Sequence, residues 1–198
     1  LLLSVLLIGA VAYFYSIPVG SLPPAGDFFH PTKGFWANAE ISDLNAELEI
    51  NSEGISEPVE VFFDGRGVPH IFAQNDRDLY FAQGYVTARD RLFQMELQIR
   101  AAGGYLSEWL GDGLSEYDKN QRRLGMVYGA GRAVEYLNQN ETSRQMVQAY
   151  ADGVNAYINS LSYETYPLEY KVLNAEPQQW KPLHTALLLK YMTQMLAG

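Results

Sequence analysis

The chain has 198 residues, 47% hydrophobic and 13% aromatic, with a formal net charge of -9. That is enough for one ordinary hydrophobic core, and the acidic balance argues against nucleic acid as the main partner, because phosphate binding needs clustered Lys and Arg. The absence of cysteine excludes disulfides, thiolate metal sites and a cysteine nucleophile.

The chain begins with Leu1 rather than Met and stops at Gly198, inside the apolar run Ala186 to Ala197. A folded domain seldom ends there without a cap or polar tail, so the expectation is a fragment open at both ends. Residues 1–17 are almost wholly apolar, and no charge appears before Asp27. A helix without a polar face suits a membrane or a secretory leader better than a soluble surface. Two readings stay open. Ala10-Val11-Ala12 fits a small-x-small cleavage site after a short apolar region, whereas Tyr13, Phe14 and Tyr15 fit the interfacial aromatics of an uncleaved anchor. Either way the rest of the chain is expected to be exported, to the periplasm or to a membrane surface.

Residues 18–56 read as a linker and docking segment, punctuated by Pro, Gly and Ser up to Pro31. The run Gly34 to Glu40, with Phe35 and Trp36, reads as the place where it docks on the body. From residue 57 the pattern changes. Val59, Val61 and Phe63 alternate with Glu60, Phe62 and Asp64; Gly65-Arg66-Gly67 supplies a turn, and Val68 to Ala73 a second strand. Pro69 cannot donate a ladder hydrogen bond, which places that strand at an edge or makes Pro69 its start. A lone hairpin is marginal, so strands outside this chain are expected to complete it.

Helices follow. Asn75 or Asp76 caps the first, whose apolar positions from Leu79 to Ile99 recur near the helical period until Gly103-Gly104 stops it. A short turn around Leu106 to Leu110 ends at Gly111. Ser115 or Asp118 opens a helical region running to about Leu137. Thr142 or Ser143 caps another, with Met146, Ala149, Tyr150, Gly153, Val154 and Tyr157 on one face. Pro177 and Pro182 bracket Trp180 before a last helix from Thr185.

Few residues invite catalysis. There is no Gly-x-Ser-x-Gly elbow, no Ser-x-x-Lys and no His-Glu-x-x-His, so neither a serine triad nor a zinc site is assembled. His30, His70 and His184 read as structural or surface residues. Asp76-Arg77-Asp78 resembles the start of a calcium loop, but Phe81 stands where glycine is needed, and the cluster reads as a cap. Gly129-Ala130-Gly131 lacks the third glycine of a dinucleotide fingerprint and reads as a close helix contact or a break. Arg89, Asp90, Arg91 and Glu96 interrupt an apolar helix. Arg89 and Glu96 lie two turns apart and are expected to share a face in a buried ion-pair network.

The order of short motifs carries more than any of them singly. Asp64-x-x-Gly67-Val68-Pro69-His70-Ile71 is followed by Gln83-Gly84-Tyr85-Val86-Thr87-Ala88-Arg89-Asp90-Arg91-Leu92-Phe93-Gln94-Met95-Glu96. Then come Gly104-x-Leu106-Ser107-Glu108, Arg122-Arg123-x-Gly125 and Tyr150-Ala151-Asp152-Gly153-Val154-Asn155-Ala156. Pro167-x-Glu169-Tyr170 and Pro177-x-x-Trp180-x-Pro182 close the series. This set, spanning about Val59 to Ala197, resembles the α-subunit of the penicillin acylase family.

The resemblance implies an α+β fold: a mostly helical α-subunit portion of an αββα N-terminal-nucleophile hydrolase, occupying residues 57–198 and carrying one short hairpin. In that family a precursor cleaves itself, and the new N-terminal serine of the β-subunit attacks an amide, with its own α-amine as base. A β-subunit from the same precursor is therefore the implied partner, a small-molecule amide the implied substrate, and a structural calcium the implied ion. The only Gly-Ser here is Gly20-Ser21, before the motifs, so the nucleophile is expected downstream, and no catalytic residue or metal ligand is assigned in this chain. The carried-over contribution is part of the acyl-pocket wall, placing Met192, Thr193 and Leu196 at the substrate. The alternative is a non-catalytic, membrane-anchored interaction domain that kept the scaffold.

Overall fold

Strands form where apolar and polar residues alternate. In the computed structural model, which describes residues 2–18, 24–39, 47–50 and 54–197, β2 (Val59–Phe63) and β3 (Pro69–Phe72) make an antiparallel hairpin with Val61 opposite Ile71. The Asp64 carboxylate closes the turn by accepting the N–H of Arg66 at 2.8 Å and of Val68 at 2.9 Å. β3 lies at the sheet edge and starts at Pro69, where the missing N–H costs nothing. Leu1, Gly20-Ser21, Glu40 and Gly198 lie outside the described residues.

The hairpin does not wait for strands from elsewhere. β1 (Glu47–Ile50) pairs antiparallel with β2, giving the order β1-β2-β3. Four residues are too few to show a period in sequence, which is why this strand was not expected. Ile50, Val59 and Val61 are buried on one face against Phe81, Ala82 and Val86.

Those three residues belong to α4 (Asp76–Gly103), the central helix. Asn75 caps it by accepting the N–H of Asp78 at 2.9 Å, and Gly104, in the left-handed region at φ 74°, ends it. Arg91, at φ -143° and ψ 21°, breaks the helical path. The expected pairing of Arg89 with Glu96 is therefore not formed: the kink resets the helical phase between them, and Glu96 pairs one turn on with Arg100 at 3.1 Å.

α8 (Glu141–Ser160) packs along α4 at backbone contact. A Cβ on Gly84 would stand 2.1 Å from the Tyr150 carbonyl oxygen, and one on Gly153 would stand 1.9 Å from that of Phe81. The cap of α8 is Asn140, two or three residues earlier than expected; Ser143 supplies the N–H it accepts. α5 (Ser107–Leu110) ends at Gly111. The region expected as one helix to Leu137 is two, α6 (Ser115–Arg123) and α7 (Met126–Leu137), separated by Gly125 at φ 67°. α9 (Leu168–Leu173) is short, and α10 (Pro182–Ala197) starts earlier than expected because Pro182 suits the first helical position. Gly129 and buried Ala130 of α7 meet α10 closely: a Cβ on Gly129 would lie 3.0 Å from the Lys190 stem. Leu92, Met95, Ile99, Val154, Tyr170 and Trp180 centre the main core.

The expected apolar N-terminal helix is present as α1 (Leu2–Ser16), with all of its residues exposed. Its 15 residues rise about 22 Å against roughly 30 Å of bilayer hydrocarbon. Among the described residues no helix is long and apolar enough to cross a membrane, so the membrane-spanning expectation is not supported. Behind it, α2 (Ala25–Phe28) and α3 (Phe35–Ala39) gather Phe28, Phe29, Phe35 and Trp36 into one aromatic knot.

Candidate functional site

The residues expected at the acyl pocket lie on the last turns of α10. Met192 is 50% exposed and Leu196 84% exposed, and Leu189 and Met195 are exposed beside them. The Thr193 hydroxyl donates to the Leu189 carbonyl at 2.8 Å, so its hydrogen-bonding capacity is spent on its own helix. Thr193 sits between Met192 and Leu196 on this uncovered apolar surface.

What fixes that surface is a set of buried polar clamps. Asn155 of α8 brackets Trp180: its Nδ2 donates to the Trp180 carbonyl at 2.9 Å, and its Oδ1 accepts the Trp180 N–H at 2.6 Å. The indole N–H then donates to Thr185 Oγ1 at 2.9 Å, tying the approach of α10 to its first turn. Glu96 makes the second clamp. It accepts the Tyr170 hydroxyl at 2.8 Å, the Gln178 N–H at 3.3 Å, and Arg100 Nε and Nη2 at 3.2 and 3.1 Å. Arg100 also donates to Glu108 at 2.9 Å and lies 3.9 Å above the Trp109 ring. Burial pushes the Glu96 carboxyl upward against the pull of Tyr170, Gln178 and Arg100. The Tyr170 hydroxyl is raised in turn, first by burial and then by the adjacent carboxylate.

Asp118 is the third clamp. It accepts the N–H groups of Leu106 and Ser107 at 3.0 and 2.8 Å, together with the Ser107 hydroxyl. Arg122 Nε donates to the Gly104 carbonyl at 2.9 Å. Asp78 repeats the device at the other end of α4, accepting Ser56 N–H, Ser56 Oγ, Glu57 N–H and Asn75 Nδ2. Burial raises both aspartates, but the converging donors outweigh it and hold both below the ordinary carboxylate value. Six of the ordered sequence motifs thus meet in space through the contacts of Glu96, Arg100, Asn155, Asp118 and Arg122. Their residues position helices.

The histidines do the same kind of work. His30 Nδ1 lies 3.3 Å from the Thr32 N–H, His70 Nε2 lies 3.8 Å from Asp64, and His184 Nδ1 accepts the Lys181 N–H at 3.3 Å. Burial, with Lys181 and Arg100 nearby, pulls His184 down to about 4. None of the three is hydrogen-bonded to a serine side chain among the described residues. Nor do three metal-ligating side chains converge among the described residues. Lys171, which composition gave no reason to single out, is fully buried. Its ammonium donates to the Gly34 carbonyl at 3.0 Å, Asn38 Oδ1 at 2.6 Å and the Glu164 carbonyl at 2.9 Å. A lysine in the middle of Tyr-Lys-Val-Leu was the one available signal.

The chain as a whole is similar to known proteins. The family model for penicillin amidase matches residues 58–198. The chain is 43% identical over 160 residues to a penicillin acylase 2 proenzyme of Pseudomonas sp. (strain SE83), covering 81% of this chain and 20% of that protein. It is 33% identical to penicillin G acylase of Escherichia coli, over 71% of this chain and 17% of the relative. It is 31% identical to the acyl-homoserine lactone acylase QuiP of Pseudomonas aeruginosa, over 73% and 17%. A solved chain of the thermostable penicillin G acylase from Alcaligenes faecalis superposes with a TM-score of 0.62 at 31% identity, covering 68% of this chain and 71% of that one. The chain thus spans about a fifth of the length of the curated relatives it matches, yet most of the solved chain. With the family model covering well over half of its residues, this chain belongs to the penicillin amidase family, whose members include amide-hydrolysing acylases.

Proposed function

We propose that the chain is the N-terminal, α-subunit portion of an acylase precursor that hydrolyses a side-chain carboxamide. The observation that carries this reading is the 43% identity to a protein named a proenzyme, over four-fifths of this chain. The amide substrate is the side chain of a penicillin, a cephalosporin or an acyl-homoserine lactone, the first and last being the substrates named in the relatives. The nucleophile is a serine C-terminal to this chain, freed by self-cleavage and activated by its own α-amine. The partner is the β-subunit that this cleavage produces. The charge-free α1 serves as a signal helix for export to the periplasm. In this reading a structural calcium bridges the two subunits, with its α-subunit ligand lying C-terminal to this stretch.

Within this scheme α10 lends one wall to the acyl pocket. Met192 and Leu196 supply apolar area that the acyl chain of the substrate covers, while Thr193 holds the helix between them. Burying such side chains against substrate is worth about 1.5–3 kcal/mol each. The test is to express the complete gene, follow self-cleavage on a denaturing gel and assay amine release from penicillin and acyl-homoserine lactone. Cleavage with amide hydrolysis is expected. An uncleaved, inactive product overturns the reading. In the active protein, Met192→Ala raises KM for long or aromatic acyl groups several-fold and leaves kcat for a small acyl group nearly unchanged.

A further inference from the structure

Where α4 kinks, a cleft of ≈ 530 Å³ opens, lined by residues 89–94 on one side and by Asn38, Tyr157, Thr165, Pro167 and Glu169 on the other. A continuous helix would turn half of six consecutive residues away from such a space; the break at Arg91 lets all six border it. The far wall is held firmly. Lys171 fixes Asn38 and the Glu164 carbonyl together, and Asn38 Nδ2 donates to the Tyr166 carbonyl at 2.9 Å. The cleft is thus preformed.

Its chemistry is incomplete on one side. The Arg89 guanidinium lies 5.1 Å from the Phe63 ring, and its Nη1 is buried with no hydrogen-bond partner. Among the described residues Arg89 makes no salt bridge, although the carboxylates of Asp90 and Glu169 border the same cleft. Arg91 is engaged by Gln94 at 3.3 Å. A guanidinium left without an acceptor in a partly desolvated place is costly, and a bidentate carboxylate is the group that matches its fork.

We propose that this cleft is a docking site for an acidic side chain, Asp or Glu, of the C-terminal remainder of the same precursor, which forms an ion pair with Arg89. The inference rests on the reading of the chain as one part of a longer precursor. The committed occupant follows from length: the matched proenzyme is about five times longer than the stretch aligned here, so most of the surface available to cover this cleft belongs to that remainder. Docking requires the Arg89 fork to turn from the Phe63 ring toward the cleft mouth.

The test uses the complete, processed protein. In an Arg89→Lys variant, a water-soluble carbodiimide joins the lysine amine to any carboxylate in direct contact, and peptide mapping identifies the pair. The expected product links residue 89 to an Asp or Glu beyond residue 198, and it disappears when the protein is denatured before the reagent is added. Links only to Asp90 or Glu169, or no link at all, overturn the proposal. A companion Arg89→Gln variant lowers the thermal midpoint of the processed protein by several degrees, and raising salt narrows the difference. An unchanged midpoint, or stabilisation of the wild type by millimolar acetate or phosphate in place of the downstream carboxylate, also overturns it. Processing and amide hydrolysis are scored on the same sample, so a protein that cleaves and hydrolyses without the cross-link rejects the Arg89 contact alone. One that never cleaves rejects the underlying reading.

Discussion

Asp78 and Asp118, both buried, each gather backbone N–H groups from a neighbouring loop. Their lowered pKa values fix the sign of a pH effect. The unfolded carboxyl takes up its proton near 3.8, and the folded one only at lower pH, so the stabilisation is complete above that value and lost as pH falls through the folded value. Thermal midpoints scanned downward from neutrality are expected to fall steeply below about pH 4. An Asp78→Asn, Asp118→Asn double variant should start lower and lose less over the same scan. Asp78→Ala is expected to cost about 3 kcal/mol in urea unfolding, because the buried carboxylate that ties Ser56, Glu57 and Asn75 together is lost. Tyr170→Phe removes one hydrogen bond from Glu96, and a loss of about 1–2 kcal/mol is expected by the same measurement. Little of this was legible beforehand. Asp78 and Asp118 read as helix-start residues, which they are, but their reach to Ser56 and to Ser107 depends on chain segments brought together only by folding.

At the scale of elements, period and punctuation carried most of the information. The cap at Asn75 and the stops at Gly104 and Gly111 follow from local chemistry, so they were readable, whereas the start at Pro182 was placed three residues late, at Thr185. The break at Gly125 and the kink at Arg91 were not. The kink interrupts apolar spacing that continues across it, and α6 before Gly125 is polar almost throughout, so neither boundary stood out in the pattern. The α4–α8 contact yields the sharpest prediction here. A methyl group at Gly84 or Gly153 meets a backbone carbonyl that cannot swing aside. Gly84→Ala or Gly153→Ala is therefore expected to cost about 3 kcal/mol or more, visible as a lowered urea midpoint. Gly131→Ala, where a Cβ meets nothing within 4 Å, should be neutral or slightly stabilising in the same assay.

For the molecule as a whole, family membership was readable from ordered motifs, while the reason for the motifs was not. They turn out to be the two ends of clamps, such as Asn155 with Trp180 and Glu96 with Tyr170, and one sequence does not show which positions are partners. The expected acyl-pocket residues were placed on an exposed helix face, where the chain alone gives them nothing to do. That face, with Leu189, Met192, Met195 and Leu196, and the outer sheet pair Phe62 and Phe72 leave large apolar side chains in water. Residues 24–198 prepared alone should bind a hydrophobic dye strongly and associate with rising concentration. The processed two-chain protein should do neither, and equal dye binding by both would show that these faces stay uncovered.

The burial of Lys171 gives the molecule an internal clock. The other four lysines, Lys33, Lys119, Lys181 and Lys190, all reach solvent to some degree. An amine-modifying reagent should therefore label those four at once and Lys171 only after Gly34 and Asn38 have let go of it. The lag before the fifth label appears then times the unlatching of the segment 34–38, one opening event read at a single nitrogen.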